Sequence, residues 1–245
     1  PFAYSFILSF TDKSMADGMN FIGLQNYISI FTKDKDFWTN AEVTMKYVLL
    51  AVPGRVLFAL LVALLLNAEI KGINLFRTVY YLPSIFGSSV AISIVWRFMF
   101  QKQGMVNELL GLIGVSGVNW FGDPGKALIT ICIIPIWQFG SSMVLFLAAL
   151  KNVPKSLYDS AQIDGAGRIS CFFRITLPMI SPIMLFNLVM QAIGCFQEFS
   201  TAFVLTKGGP NKATYLYGIK IYREAFTNFK MGYASALSWI LFMAI

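Results

Sequence analysis

The sequence of 245 residues is too apolar for a soluble domain of its size. Hydrophobic residues make up 57% of it and charged residues only 13%, against roughly 25% charged residues in an average soluble domain, so we predict an integral membrane protein. The net charge of +7 is spread along the chain, without the clustered Lys and Arg that indicate nucleic-acid binding. The sequence contains no His, which excludes His-based acid–base catalysis and most catalytic zinc sites.

The apolar segments predict how the chain crosses the membrane. Residues 2–10 are apolar but shorter than the ~20 residues that a spanning helix needs, and residues 11–40 are polar and expected in water. Four later segments are long enough to span: residues 43–66, 78–96, 127–150 and 179–205. Residues 231–245 are again apolar and short. We therefore predict an all-α, polytopic bundle of transmembrane helices, with a six-helix core whose first and last helices are partly missing.

Motifs for enzymatic chemistry are absent from the sequence. An ATP-binding phosphate loop requires GxxxxGK[ST], whose glycine amides surround the phosphates, and no segment has this spacing; GxSxG and HExxH do not occur either. The three cysteines form no CxxC pair and are interpreted as small buried residues: Cys132, Cys171 and Cys195. We therefore expect no catalytic residue, no metal and no cofactor in this chain itself.

Residues 151–177 form the most charged long loop. A short helical pattern begins after Pro154, and Ser156 is expected to cap it with Asp159 three residues later, as in a capping box. Gly165 is expected to end this helix. One interpretation is an ordinary capped loop at the membrane surface, and the other is a short helix that docks on another protein through its small and apolar side.

The same loop resembles the EAA motif of ABC importer membrane subunits, in which EAAxxDGA precedes an aromatic-rich stretch and a proline. The matching residues are Asp159-Ser160-Ala161, Asp164-Gly165-Ala166, Phe172-Phe173 and Leu177-Pro178. Other segments resemble the carbohydrate-type permeases in the same order: FIGLQNY at 21–27, LFRTVYYLP at 75–83, GMVNELL at 104–110, LTKGGPNKAT at 205–214, IYREAF at 221–226 and GYASALSW at 232–239. The chain is therefore similar to the permeases of the maltose and glycerol-phosphate importers.

This resemblance implies how the chain is organised. It implies one transmembrane permease domain over residues 1–245, a cytoplasmic coupling loop at residues 151–178 and an external loop at residues 205–230. Within the coupling loop it implies six residues that contact an ATPase subunit: Asp159, Ser160, Ala161, Asp164, Gly165 and Ala166. Asp159 stands where the motif has Glu and Ser160 where it has Ala, so the charge is kept on a shorter side chain.

The orientation that the resemblance implies opposes a simple count of charges. The loops at residues 67–77 and 151–177 hold six Lys and Arg, whereas the three polar segments on the other side hold eleven. The positive-inside rule alone would place the larger group in the cytoplasm. We follow the resemblance and expect residues 151–177 inside.

The resemblance also implies the function and the partners. The chain is expected to be the membrane-spanning subunit of an ATP-driven ABC importer and to form half of the path for a sugar or oligosaccharide. Its expected partners are a second homologous permease subunit, two ATPase subunits that bind ATP and Mg, an external solute-binding protein, the carbohydrate and membrane lipid, but no nucleic acid. The expected location is a bacterial or archaeal cytoplasmic membrane. Alternatives are a permease for a polyol or glycerophosphate-type solute and an ion-driven secondary transporter, which has no run of intramembrane carboxylates or His to support it.

Polar residues in the last complete span are candidates for the substrate path. At ~100° per residue on a continuous helix, all lie within about 40° of the first: Asn187, Gln191, Glu198 and Thr201. Polar side chains facing lipid are costly, so this stripe either forms interhelical hydrogen bonds or lines a hydrophilic cavity. The preceding span adds Gln138 and Trp137, an amide and a ring that either pack structurally or contact a sugar.

Overall fold

The computed structural model describes residues 1–14, 18–68, 72–87, 89–115 and 117–245. Four short gaps lie outside these ranges. They are residues 15–17, 69–71 and 116 in the predicted polar loops, and residue 88 in the second predicted span. The helices follow in chain order: α1 (Phe2–Ser9), α2 (Gln25–Thr32), α3 (Lys35–Leu66), α4 (Ile73–Ile85), α5 (Val90–Met99), α6 (Met105–Leu112), α7 (Pro124–Trp137), α8 (Gly140–Lys151), α9 (Lys155–Ile163), α10 (Arg168–Cys171), α11 (Leu177–Phe196), α12 (Ser200–Thr206), α13 (Tyr217–Tyr222) and α14 (Met231–Ala244).

Helical structure confirms the predicted fold class. Two π-helical turns, Phe172–Thr176 and Arg223–Thr227, adjoin α10 and α13. In the described part of the chain no strand forms, although an isolated bridge joins Thr11 to Phe21. The polar segments also contain helices, since α2, α6 and α13 all lie in them.

Three of the four predicted spans are interrupted, two of them by sharp bends and the third, residues 179–205, between α11 and α12. Among the described residues, two helical stretches are long and apolar enough to cross a membrane, Lys35–Leu66 and Arg168–Phe196, and the number rises to four if each bent pair of helices counts as one span. One pair is α4 with α5. The other is α7 with α8, whose axes differ by 47°. Pro135 lies inside α7, one turn before this bend, where its ring removes a backbone hydrogen bond.

One compact unit comprises Pro1–Val48, Ser88–Ile131 and Ile193–Ile245. In it α1 packs along α14, and the Trp239 ring centroid lies 4.8 Å from that of Phe6. A cluster of buried side chains links α2, α3, α13 and α14: Ile30, Phe37, Tyr217, Ala236 and Leu237.

The second unit comprises Leu49–Gly87 and Cys132–Ala192, and it contains the predicted coupling loop at residues 151–178, called the coupling loop below. Here α4 packs closely against α8 because Gly140 has no side chain. A Cβ at Gly140 would lie 2.6 Å from the Tyr80 carbonyl oxygen, so any larger residue would push the two helices apart. The deepest side chains of this unit include Met143, Phe146 and Ile180.

Candidate coupling loop and polar residues of the spans

The coupling loop contains a short helix, α9, that begins before the predicted cap. Its N-cap is Pro154, in an extended conformation and without a side-chain capping bond. The expected capping box of Ser156 with Asp159 is therefore wrong. The fixed φ of proline already sets the chain for the first turn, and Ser156 lies inside the helix.

The end of α9 agrees with the glycine stop that the sequence predicts. Gly165 adopts a φ of +76°, and the Ala166 N–H donates to the Ala161 carbonyl at 2.8 Å, as expected of a glycine-terminated helix.

The Tyr158 hydroxyl lies 2.8 Å from the Thr176 hydroxyl. This hydrogen bond fastens α9 to the π-helical turn before α11, and no periodic pattern relates its two residues.

The surface of the coupling loop is partly apolar. Four of the six predicted coupling residues are exposed: Asp159, Ser160, Asp164 and Gly165. Ala161 and Ala166 are half-buried. Among them lies Ile163, which is not a motif position and whose side chain is 88% exposed, and Leu157 is 40% exposed. Complete burial of such a side chain contributes roughly 1.5–3 kcal/mol of stabilisation. Covering this surface would therefore favour the binding of a partner.

The polar stripe of the last predicted span does not lie on one helix. α11 ends at Phe196 and α12 begins at Ser200, so the expectation that Glu198 and Thr201 continue the stripe is wrong. Instead, a Glu198 carboxylate oxygen accepts the Thr201 N–H at 2.8 Å, in the first turn of α12. The break packs closely on α13, because a Cβ at Gly218 would lie 2.8 Å from the Glu198 carbonyl oxygen.

The first two residues of the stripe do share one helix, and both make structural hydrogen bonds. The Gln191 amide donates to the Ser142 hydroxyl on α8 at 3.2 Å. Asn187 is fully buried and donates to the Ile183 carbonyl in its own helix at 3.0 Å. Asn187 Oδ1 is buried and has no hydrogen-bond partner among the described residues. The Gln191 contact therefore agrees with the interpretation that the polar stripe forms interhelical hydrogen bonds.

The remaining candidates, Gln138 and Trp137, lie at the break between α7 and α8. Gln138 is buried and donates its amide to the Gly87 carbonyl at 2.6 Å, so it ties this break to the end of α4. Trp137 is half-buried as the last residue of α7. Nearby, Ser141 accepts a hydrogen bond from Arg55 at 3.3 Å, which gives this intramembrane cation a polar contact.

A buried ion pair in the first unit was not predicted. The Lys220 ammonium lies 2.6 Å from the Asp34 carboxylate, with side chains only 3% and 16% exposed. The Tyr233 hydroxyl donates to the same carboxylate at 2.5 Å, and the carboxylate also accepts the N–H of Phe37 at 3.2 Å. Because residues 205–230 are predicted to be external, we call Asp34, Lys220 and Tyr233 the external network.

Two opposing effects set the pKa of the Asp34 carboxyl. Burial raises this pKa, but the hydrogen bonds from Lys220 and Tyr233, with the positive charge of Lys220, outweigh burial and hold the pKa below its usual range. The carboxylate is therefore the stable form at neutral pH. It joins the start of α3 to α13 and α14.

The predicted external loop is held against the start of α3. Asn40 donates to the Tyr215 carbonyl at 2.5 Å, and the Tyr217 N–H donates to the Thr44 hydroxyl at 2.8 Å. Within the loop, Arg223 donates to the Lys207 carbonyl at 2.6 Å. These hydrogen bonds tie the segment to α3 and connect its two ends.

Comparisons with known proteins agree with this architecture. The family described as binding-protein-dependent transport system inner membrane component matches residues 29–245. A probable ABC transporter permease of Bacillus subtilis strain 168 is 44% identical over 100% of this chain and 80% of its own length. The lactose transport system permease of Rhizobium radiobacter is 32% identical over 100% of this chain and 78% of its own. The crystal structure of a bacterial alginate ABC transporter, in complex with an alginate pentasaccharide-bound periplasmic protein, contains a chain with a TM-score of 0.78 and 25% identity, over 91% of this chain and 78% of that one.

Proposed function

This chain belongs to the binding-protein-dependent transport system inner membrane components, and we propose that it forms half of the translocation path for a sugar or oligosaccharide in an ATP-driven importer. Two similar proteins support the substrate class: one is a lactose permease, and the other belongs to an alginate transporter. A polyol or glycerophosphate-type solute is the alternative substrate. Membership of this family argues against an ion-driven secondary transporter.

The chain is a transport subunit, and we propose partners for the remaining tasks. A second homologous permease subunit would complete the path, and two ATPase subunits would bind ATP and Mg and hydrolyse the nucleotide. A solute-binding protein would deliver the carbohydrate from outside, as the family description and the periplasmic protein of the alginate transporter suggest. The complex would reside in a bacterial or archaeal cytoplasmic membrane.

We propose that the coupling loop transmits the motion of an ATPase subunit, and one observation carries this role. α9 exposes Ile163 between the motif residues, while the bond between Tyr158 and Thr176 fastens the same helix to the π-helical turn before α11. The loop thus combines an exposed apolar side chain, available to a partner, with a hydrogen bond that links α9 to a long apolar helix. A push on α9 would move α11 as a rigid body.

The Ile163→Asp variant tests this proposal. It adds a charge to a side chain that is already exposed, so the chain should insert and fold normally. ATPase subunits should co-purify at a reduced level, and ATP-dependent uptake should fall at least ten-fold. Ile113→Asp is the matched control, because Ile113 is 74% exposed and lies in a segment expected on the opposite side. Normal co-purification and uptake in Ile163→Asp would contradict the coupling role.

A further inference from the structure

A row of apolar side chains is exposed on α2, in a segment that the sequence places in water. Leu24 at the N-cap, Ile28 and Phe31 are 60%, 57% and 47% exposed. Their spacing puts them within about 60° of one another around a helix. We call these three residues the α2 stripe. Exposed apolar surface of this kind marks contact with a membrane or with another protein.

The opposite side of α2 is fixed within the first unit. Ile30 is fully buried in the cluster that α2 shares with α14, and the Tyr27 hydroxyl donates to the Ser9 hydroxyl at 2.8 Å. The Asn26 amide donates to the carbonyls of Ser9 and Thr11 at 2.8 and 2.9 Å. These contacts prevent α2 from turning the α2 stripe inward, so the stripe remains on the surface of this unit.

The polar side chains of α2 show where water would lie. Gln25 and Thr32 are exposed and lie about 80–100° from Leu24 around the helix, whereas Ile30 lies about 120° away in the other direction. The α2 stripe therefore separates a side that packs on protein from a side that favours water. A helix in the plane of a membrane interface has this arrangement.

The α2 stripe continues onto α3, a helix long and apolar enough to cross the membrane. The Phe31 ring centroid lies 6.3 Å from that of Trp38, whose side chain is 60% exposed near the start of α3. Met45 follows on the same face of α3 and is 47% exposed. Trp38 precedes the predicted span at residue 43 by a rise of about 7.5 Å, close to the ~5–7 Å of headgroup layer on each side of a bilayer. Tryptophan is enriched at this depth.

A charged pair on α3 limits how deep this region lies. Lys46 reaches back to Glu42 at 2.6 Å, and both side chains are more than half exposed. A Lys near the end of a spanning helix extends toward the headgroups in this way, so residues 42–46 mark the boundary between headgroups and acyl chains. α2, which meets α3 at the level of Trp38, therefore fits the interface and not the centre of the bilayer.

We propose that α2 is an interfacial helix whose stripe contacts the lipid of the leaflet in which α3 begins. Leu24, Ile28 and Phe31 lie at the boundary between headgroups and acyl chains, and the polar side of α2 faces the water. Asp34 follows shortly after the end of α2, so contact with lipid would also fix the depth of the external network.

The test measures the depth of α2 in the bilayer. The chain, with the subunits that co-purify with it, is reconstituted in nanodiscs of phosphatidylethanolamine and phosphatidylglycerol. A nitroxide is attached at Ile28→Cys, and its depth is obtained from collision rates with oxygen, which dissolves in the bilayer, and with a nickel chelate, which stays in water. This label should lie about 5–10 Å below the headgroup surface. Gln25→Cys and Thr32→Cys are the matched controls on the polar side and should lie about 5 Å or more closer to the water. The labelled chains carry Ala in place of the three native cysteines: Cys132, Cys171 and Cys195.

Each outcome decides the proposal. High oxygen and low nickel collision rates at residue 28, with the reverse at residues 25 and 32, would support it. Equal accessibility to the nickel chelate at all three positions would place α2 in water, and protection of residue 28 from both reagents would indicate a protein partner; either result would overturn the proposal. If the cysteine-free chain does not assemble, a photoreactive benzoylphenylalanine replaces Phe31 in the otherwise unchanged chain. An adduct with phospholipid would then support the proposal, and an adduct with protein, or no adduct, would overturn it.

Discussion

The external network and the coupling loop differ in whether their side chains find interaction partners within the chain. In the external network the Lys220 ammonium is buried and the Asp34 carboxylate is only 16% exposed, and each finds its partner inside the chain. In the coupling loop, Ile163 and Leu157 are exposed although burial would be favourable. The first region is complete by itself, whereas the proposed role of the second requires another protein. Stability should therefore depend mainly on the external network, and coupling mainly on the loop.

Breaking the buried ion pair should have the largest effect on stability. Lys220→Met leaves the Asp34 carboxylate without its cation, and loss of one member of a buried pair costs about 3–5 kcal/mol. The free energy of unfolding, measured by thermal denaturation in nanodiscs, should fall accordingly. Lys212→Met is the control, because Lys212 also lies 2.6 Å from an aspartate, Asp36, but both side chains are about half exposed. Such pairs contribute below about 1 kcal/mol, so equal losses in both variants would refute the contrast.

Removing the hydrogen bond of Gln191 should have an intermediate effect. Gln191→Leu keeps the side-chain volume but leaves the buried Ser142 hydroxyl without its donor, which costs about 1–3 kcal/mol. We expect uptake in reconstituted vesicles to fall several-fold while basal ATPase activity persists. Gln197→Leu, at an exposed position just after α11, should leave uptake unchanged. Reduced assembly with normal uptake per assembled complex would assign Gln191 to packing alone.

Loosening the coupling helix should weaken coupling more than stability. Tyr158→Phe removes only the hydroxyl that bonds Thr176, a contribution of about 1 kcal/mol. Uptake per ATP hydrolysed should decline, while the unfolding temperature changes by a few degrees at most. The control is Tyr4→Phe at an exposed site. A ratio of uptake to hydrolysis that matches the unaltered protein would show that α9 does not need this anchor.

The smallest expected effect is a loss of stability in acid. The pKa of Asp34 is lower in the folded protein than in the unfolded chain, so its stabilising contribution is complete above the ordinary value of ~4 and declines as the pH falls below it. Unfolding temperatures of the unaltered protein and Asp34→Asn, compared from pH 7 to pH 3, should converge only at the acidic end. A constant difference across this range would exclude ionisation of Asp34 as the cause.

Several conclusions follow from the sequence by itself, because they depend on local chemistry. Apolar runs of about 20 residues predict four spans, and the EAA-like residues predict a coupling loop. Gly165 ends α9 as expected, since glycine adopts a positive φ without steric cost. Family membership and the all-α class are confirmed on this basis.

Only the tertiary structure decided where the spans break and which polar groups pair. Hydropathy does not distinguish a continuous helix from two helices that meet at a break. The break before α12 therefore separates Glu198 from the polar stripe that a continuous helix would have formed. Gln138 bonds a carbonyl 51 residues away, and Tyr233 bonds Asp34 across 199 residues. Such pairs have no local signature, because the positions of whole helices bring them together. Exposure likewise depends on the neighbours of a side chain, so Ile163 became a candidate docking residue only when the structure showed that α9 leaves it exposed.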